Sequence, residues 1–202
     1  EEKIKKDVES WRKTIKAIGL KAEVVLGSDF EFEPEYVKDI MSMAQETTLN
    51  RGMRSMQEVA RDFENATISQ MWYPLMQIED IKALKCDVAY GGMEQRKIHM
   101  LGRELSNITK HKFVAVHTPL ITSLKGPGEK MSKSIPGSFV SVTDSDEQIK
   151  KTIGDAYCPA GKADDNPIIE IAGLIIFPRV KKLVIERPAK FGGKLEITDY
   201  AE

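Results

Sequence analysis

Cysteine is scarce in this sequence: Cys86 and Cys158 are the only two in 202 residues. They lie far apart and outside any CxxC or Cys/His cluster, which argues against a disulfide scaffold and a zinc site and fits a reducing, cytoplasmic setting. Histidine is scarce as well, with three in all. No apolar run approaches the ~18 residues of a membrane span. The charged opening Glu1-Glu2-Lys3-Ile4-Lys5-Lys6-Asp7 does not read as a signal peptide. An excess of either charge is missing too: 30 basic and 31 acidic residues leave a net charge of −1. A nucleic-acid partner would therefore be held by local groups rather than by an overall field. With 41% hydrophobic and 30% charged residues, the chain has the balance of a folded globular protein, not of a disordered one.

Apolar spacing organises the front of the chain. Ile4, Val8, Trp11, Ile15 and Ile18 recur at three- and four-residue intervals, and Gly19 ends the pattern. This is a helix without a capping residue before it, and the expectation is a chain cut at its front. Ala22 to Leu26 reads as a short buried strand. Residues 35 to 85 are helical by pattern, with breaks expected at Asn50-Arg51-Gly52 and Asn65-Ala66-Thr67. Strands are expected at Cys86 to Tyr90 and at Phe113 to Val116, with a helix from Met93 to about Leu105 between them. That order is a βαβ unit, hence α/β architecture with a parallel sheet under helical cover. From Asp144 the character becomes mainly helical, with helices opening at Ser145 and near Pro167. Two short strands, at Leu183-Val184-Ile185 and Leu195-Glu196-Ile197, follow.

Three constellations carry chemistry. On the helix from Ile68 to Leu84, Tyr73, Gln77, Asp80 and Leu84 fall within about 60° of one another. Lys82 projects opposite Tyr73, with Lys85 and Glu79 on its flanks, so these charges are expected to mark the solvent side. The polar trio then sits in the apolar face and needs partners, because unpaired buried polar groups cost roughly 1–3 kcal/mol each. A small polar ligand would supply them; so would an internal Tyr–Gln–Asp network. Next, a strand runs straight into Gly91-Gly92 and a helix, an arrangement that lets backbone approach a nucleotide and that also serves as an ordinary tight turn. Gln95 shares a face with Ile98, Leu101 and Leu105 and points inward. Finally, Lys130-Met131-Ser132-Lys133-Ser134 lies between Gly/Pro-rich flanks, where two ammonium groups on a loop can close over a polyphosphate.

That last string matches the KMSKS signature of class I aminoacyl-tRNA synthetases. Tyr73-Pro74-Leu75-Met76-Gln77-Ile78-Glu79-Asp80 and Gly91-Gly92-Met93-Glu94-Gln95-Arg96-Lys97-Ile98-His99 resemble tyrosyl-tRNA synthetases of the archaeal and eukaryotic type. So do Tyr157-Cys158-Pro159-Ala160-Gly161 and Arg187-Pro188-Ala189-Lys190-Phe191-Gly192-Gly193. The resemblance runs over nearly the whole chain in one order. It implies a Rossmann-like catalytic part over 1–143, with a helical connective insertion at about 35–66 that forms a homodimer interface. The start of a mainly helical anticodon-binding domain would follow over 144–202. It further implies that Tyr73, Gln77 and Gln95 hold the amino end of tyrosine and that Asp80 faces its phenol. Gly91, Gly92, Lys130, Ser132 and Lys133 would attend ATP, with Lys130 and Lys133 catalytic. Arg54 and Arg96 would reach the acceptor stem of tRNA(Tyr), and Phe191 would stack on its anticodon.

The implied reaction consumes ATP with Mg²⁺ as a substrate complex and needs neither a tightly bound cofactor nor a resident metal. The chain departs from the family at both ends. None of His99, His111 and His117 lies in a His-x-Gly-His string, the strand that supplies a further pocket residue is missing, and so are the closing helices of the anticodon domain. The expectation is a fragment that is incomplete for catalysis alone. Two alternatives stand: a tryptophanyl-tRNA synthetase, and a non-catalytic tRNA-binding or interaction module derived from a synthetase.

Overall fold

A computed structural model describes residues 2–59, 65–128, 131–132 and 135–200. The chain divides into two compact units, Glu23–Leu120 on one hand and Glu1–Ala22 with Ile121–Glu202 on the other. Helix α1 (Glu2–Ala17) belongs to the latter and buries none of its residues.

The stretch expected as a buried strand at Ala22 to Leu26 forms no strand and is largely exposed. A short apolar run makes a strand only where a neighbour completes its ladder, and among the described residues none does. Helix α2 (Pro34–Glu46) starts with proline at its first position, where the missing N–H costs nothing. Helix α3 (Leu49–Met56) is capped by the Thr48 side chain, which accepts from the Arg51 N–H. The first break therefore falls at Thr47-Thr48, and Asn50-Arg51-Gly52 lies inside α3, because a hydroxyl cap outweighs the turn propensity of Asn and Gly. Helix α4 (Ile68–Ala83) opens on a reciprocal capping box between Thr67 and Gln70.

Strand β1 (Val88–Gly92) pairs in parallel with β2 (Val114–Thr118), in register from Val88↔Val114 to Gly92↔Thr118. The crossover runs through a tight turn at Met93–Gln95, helix α5 (Arg96–Glu104) and helix α6 (Ser106–Thr109). The expected βαβ unit is thus present, with the strands shifted by one or two residues. Tyr36, Ile40 and Met43 of α2 pack with Leu75 and Ile78 of α4 and with Ile98, Leu101 and Leu105 at α5 to form the core. Ile81, Ala89 and Phe113 join the sheet to α4.

In the other unit, Ser145 and Gln148 build a capping box on α7 (Asp146–Gly154). Asn166 caps α8 (Pro167–Ile171), its Oδ1 accepting from the N–H groups of Ile168 and Ile169. The helix continues as a wider π turn over Ala172–Ile176. Strands β3 (Leu183–Ile185) and β4 (Leu195–Ile197) pair antiparallel, as the pattern predicts. Both cysteines are free thiols. Among the described residues, no helix is long and apolar enough to cross a membrane.

Candidate active site

Helix α4 carries Tyr73, Gln77 and Asp80 on one flank, and that flank is open: Tyr73 is 47% exposed. Of the charges expected to face solvent, Lys85 is exposed, but Lys82 and Glu79 are packed. Glu79 is only 3% exposed. The Lys82 ammonium pairs with Glu79 at 3.1 Å and with Asp39 of α2. Helical projection separates two faces but does not say which one a neighbouring helix covers. Here α2 covers the charged face, made tolerable by a lysine shared between two carboxylates. The trio is consequently presented outward rather than sealed in the core.

The partner of Asp80 is Tyr36. Its hydroxyl donates to Asp80 Oδ1 at 2.7 Å and lies 3.1 Å from the Met76 carbonyl oxygen. Burial raises the Asp80 carboxyl above its ordinary range, and the Tyr36 hydrogen bond pulls it back. The Tyr36 phenol is itself held protonated far above its usual range by burial and by Asp80. The Tyr73 phenol is raised as well, by burial and by the charges of Asp80 and Glu94.

Gln77 meets Gln95 across the gap between α4 and the turn after β1. Its Nε2 donates to Gln95 Oε1 at 3.1 Å and lies 3.4 Å from His99 Nε2. Gln95 Nε2 donates to Glu94 Oε1 at 3.3 Å. His99 Nδ1 lies 2.9 Å from His117 Nε2. In this constellation Gln77 Oε1 and Glu94 Oε2 are buried without a partner, leaving two acceptors with capacity for a polar group. The structure thus gathers Tyr73, Gln77, Asp80 and Gln95 into one constellation. A Cβ on Gly91 would press on Gln95 at 3.1 Å, and one on Gly92 would strike the Glu94 carboxylate. These two glycines make room for the side chains of their own turn.

Sequence reasoning missed Tyr36, Glu94, His99 and His117 as parts of this site. Two signals were available. Tyr36 leads the apolar series Tyr36, Ile40, Met43 with a hydroxyl that needs a partner once buried. His99 follows Gln95 by four residues, one turn along the same face.

Lys130 and Lys133 fall outside the described residues. The Ser132 backbone is bracketed by Ser138, whose Oγ accepts from its N–H at 3.1 Å and donates to its carbonyl at 2.8 Å. Arg54 is exposed on α3, its Nε bonded to the Asn50 carbonyl at 3.3 Å. Arg96 is exposed at the start of α5. Arg51, on the same helix as Arg54, is instead consumed by a two-pronged pair with Glu104 at 2.9 and 2.7 Å. Phe191 is 62% exposed on the turn Ala189–Phe191, with the Lys190 ammonium 4.9 Å from its ring centroid. Among the described residues, no group of three or more His, Cys, Asp or Glu is arranged to hold a metal.

The sequence model of the family described as tRNA synthetases class I (W and Y) matches residues 1–202. The chain belongs to this family. It is 47% identical over 203 residues to the tyrosine–tRNA ligase of Methanocorpusculum labreanum, covering all of this chain and 63% of that protein. It is equally similar, 47% over 192 residues, to the one from Methanocaldococcus jannaschii, covering 95% of this chain and 60% of that protein. A crystal structure of tyrosyl-tRNA synthetase from Archaeoglobus fulgidus complexed with L-tyrosine superposes with a TM-score of 0.90 at 45% identity, over 99% of this chain and 63% of that one. The tryptophanyl-tRNA synthetase of Giardia lamblia shares the fold, with a TM-score of 0.62 at 15% identity. The class I synthetase fold expected from the motifs is therefore the fold of this chain. The chain spans about 60% of the length of the curated relatives it matches.

Proposed function

We propose that this chain is the tyrosine-selecting part of a tyrosyl-tRNA synthetase, which activates L-tyrosine with ATP and transfers it to tRNA(Tyr). The observation that carries this reading is the open α4 flank. There Asp80, tethered by Tyr36, stands three residues from Gln77 and its unpaired buried carbonyl oxygen. An aromatic amino acid with a para hydroxyl fits such a site: the phenol donates to the Asp80 carboxylate, while Tyr73, Gln77 and Gln95 take the ammonium end. Phenylalanine would leave Asp80 unpaired, a loss that hydrogen-bonding sites punish heavily; tyrosyl-tRNA synthetase is itself the standard example of that principle. A carboxylate at this point has no counterpart use for an indole, which disfavours the tryptophan reading.

In the proposed reaction the tyrosine carboxylate oxygen attacks the α-phosphorus of ATP and pyrophosphate leaves, with Mg²⁺ accompanying the nucleotide. A terminal ribose hydroxyl of tRNA then attacks the activated carbonyl and AMP leaves. No covalent enzyme intermediate is required, so positioning and charge stabilisation do the catalysis. Lys130, Ser132 and Lys133 would stabilise the phosphates, and Gly91 and Gly92 would border the adenosine. Arg54 and Arg96 would contact the acceptor stem, and Phe191 the anticodon. Residues 1–143 would serve catalysis, with the helices of about 35–66 as a homodimer interface, and 144–202 would serve tRNA binding. The setting would be the cytoplasm.

Tyrosine-dependent ATP–pyrophosphate exchange by the full-length protein tests this, with phenylalanine and tryptophan as controls. Exchange with tyrosine, abolished in Asp80→Ala, is expected. Preference for tryptophan would overturn the substrate, and tRNA binding without any exchange would turn the reading to a non-catalytic module.

A further inference from the structure

Each amide around Gln77 is oriented by the next, and the chain of orientations has one solution. The Glu94 carboxylate only accepts, so the Gln95 amide nitrogen faces it, at 3.3 Å. That turns Gln95 Oε1 towards Gln77, whose nitrogen must face it in turn, at 3.1 Å. The same nitrogen points its second hydrogen at His99 Nε2, 3.4 Å away, which must therefore be the unprotonated ring nitrogen. His99 is 2% exposed, and burial together with His117 lowers its basicity, so it stays neutral with its proton on Nδ1. From there it donates to His117 Nε2 at 2.9 Å. Both ends of the chain hold the Gln77 amide the same way round, and its Oε1 is left buried and unpartnered.

We infer that Glu94 at one end and the His99–His117 pair at the other are positioning residues that lock the Gln77 amide with its carbonyl oxygen towards the ligand, making Gln77 an obligate acceptor for the substrate's ammonium group. The orienting chain stands on geometry; the identity of the ammonium rests on the tyrosine-site reading above. Without His117 as acceptor, His99 is free to move its proton to Nε2. The Gln77 nitrogen then faces a donor, the amide turns, and an N–H replaces the acceptor that an ammonium requires.

Two measurements test this on the full-length protein. Long-range proton–nitrogen correlation spectra, with ¹⁵N-labelled histidine at pH 8, read the tautomers directly. His99 is expected as the Nδ1–H form. His111 provides an internal contrast, because its Nε2 lies 2.8 Å from the Cys86 carbonyl oxygen and must carry the proton. An Nε2–H tautomer at His99 overturns the proposal whether or not the site binds tyrosine.

In pyrophosphate exchange, His117→Leu should raise the KM for tyrosine about five- to tenfold, the worth of one hydrogen bond, with kcat retained. His117→Gln, which keeps an acceptor near the Nε2 position, should restore it. The inhibition constant of 3-(4-hydroxyphenyl)propionate, which lacks the ammonium, should be unchanged in His117→Leu. An equal loss for tyrosine and for this analogue would make His117 merely structural and would sink the inference. Absence of tyrosine exchange in the unsubstituted protein would instead sink the substrate reading, leaving the tautomer measurement to decide the orienting chain.

Discussion

Tyr36 and Asp80 lie 44 positions apart, yet the tyrosine hydroxyl sits 2.7 Å from Asp80 Oδ1 in the gap between α2 and α4. The contact fixes one carboxylate oxygen and leaves the carboxylate as a positioned acceptor on the open flank. It also restrains the proton affinity of Asp80 against the effect of burial.

Tyr36→Phe should therefore weaken selection rather than folding. The ring still fills its place among Ile40, Met43 and Leu75, and loss of the hydroxyl costs about 1 kcal/mol of stability. Asp80 then loses both its tether and the hydrogen bond that favours its charged form. The ratio of kcat/KM for tyrosine over phenylalanine should fall about tenfold, equivalent to ~1.4 kcal/mol. The acid limb of the tyrosine profile should move to higher pH, because Asp80 protonates earlier. An unmoved limb and an unchanged ratio would mean that Tyr36 does not govern Asp80.

Glu79 should make stability depend on pH in the direction opposite to a salt-bridged surface acid. Burial and the neighbouring Asp80 push its carboxyl from 4.5 up to about 7. Between those values the folded chain keeps a proton that the unfolded chain has released. This contribution is fully present below the ordinary carboxylate range and is lost as pH rises through 7. The unfolding free energy of the unsubstituted chain minus that of Glu79→Gln should fall between pH 5 and pH 8. Urea midpoints at both values measure it, and a difference that stays flat would show that Lys82 compensates the charge.

The core offers a test in which two effects compete. Gly102 lies inside α5, where alanine would add about 1 kcal/mol through helix propensity. A Cβ there would meet Ile78 Cγ1 and Phe113 Cζ, each at 3.1 Å. Overpacking of a close-packed site costs typically ~1–3 kcal/mol, so Gly102→Ala should destabilise on balance. Ile98→Ala, at a fully buried neighbour, should cost more, about 2–5 kcal/mol. Denaturant unfolding ranks the two, and a stabilising Gly102→Ala would show that Phe113 swings aside freely.

Much of this site was legible in the sequence, and the omissions have a common cause. The spacing of Tyr73, Gln77 and Asp80 on one helix, with Gln95 after a strand and two glycines, was enough to group residues that the structure brings into one constellation. Those residues are polar where their element is apolar, so a one-dimensional pattern exposes them. Tyr36 and His99 are amphipathic side chains on faces that are otherwise buried, and they read as core until the fold shows what their polar tips meet. Glu79 and Lys82 failed for a related reason: charge marks solvent only when no opposite charge waits on the neighbouring helix, and Asp39 on α2 was waiting. The unpaired stretch at Ala22 to Leu26 shows the remaining limit, since strand formation depends on a partner that local sequence does not contain.

Phe191 allows the tRNA-binding half of the reading to be separated from folding. A large aromatic that is 62% exposed contributes little to a core, and here it is flanked by a lysine whose ammonium lies 4.9 Å from the ring centroid. Gly192 and Gly193 follow in left-handed conformations, with φ of 90° and 69°, which turns the chain sharply after the ring. An exposed aromatic beside a cation is suited to stack on an unpaired base, an interaction worth ~1–3 kcal/mol. Phe191→Ala should therefore leave the unfolding midpoint and tyrosine-dependent pyrophosphate exchange unchanged. The KM for tRNA(Tyr) in aminoacylation should rise about five- to 150-fold, the same range expressed as a ratio. Phe191→Trp should retain most of the affinity, because stacking needs a π face rather than a particular ring. A loss of stability in Phe191→Ala would make the residue structural, and an unchanged KM for tRNA would remove it from the binding surface.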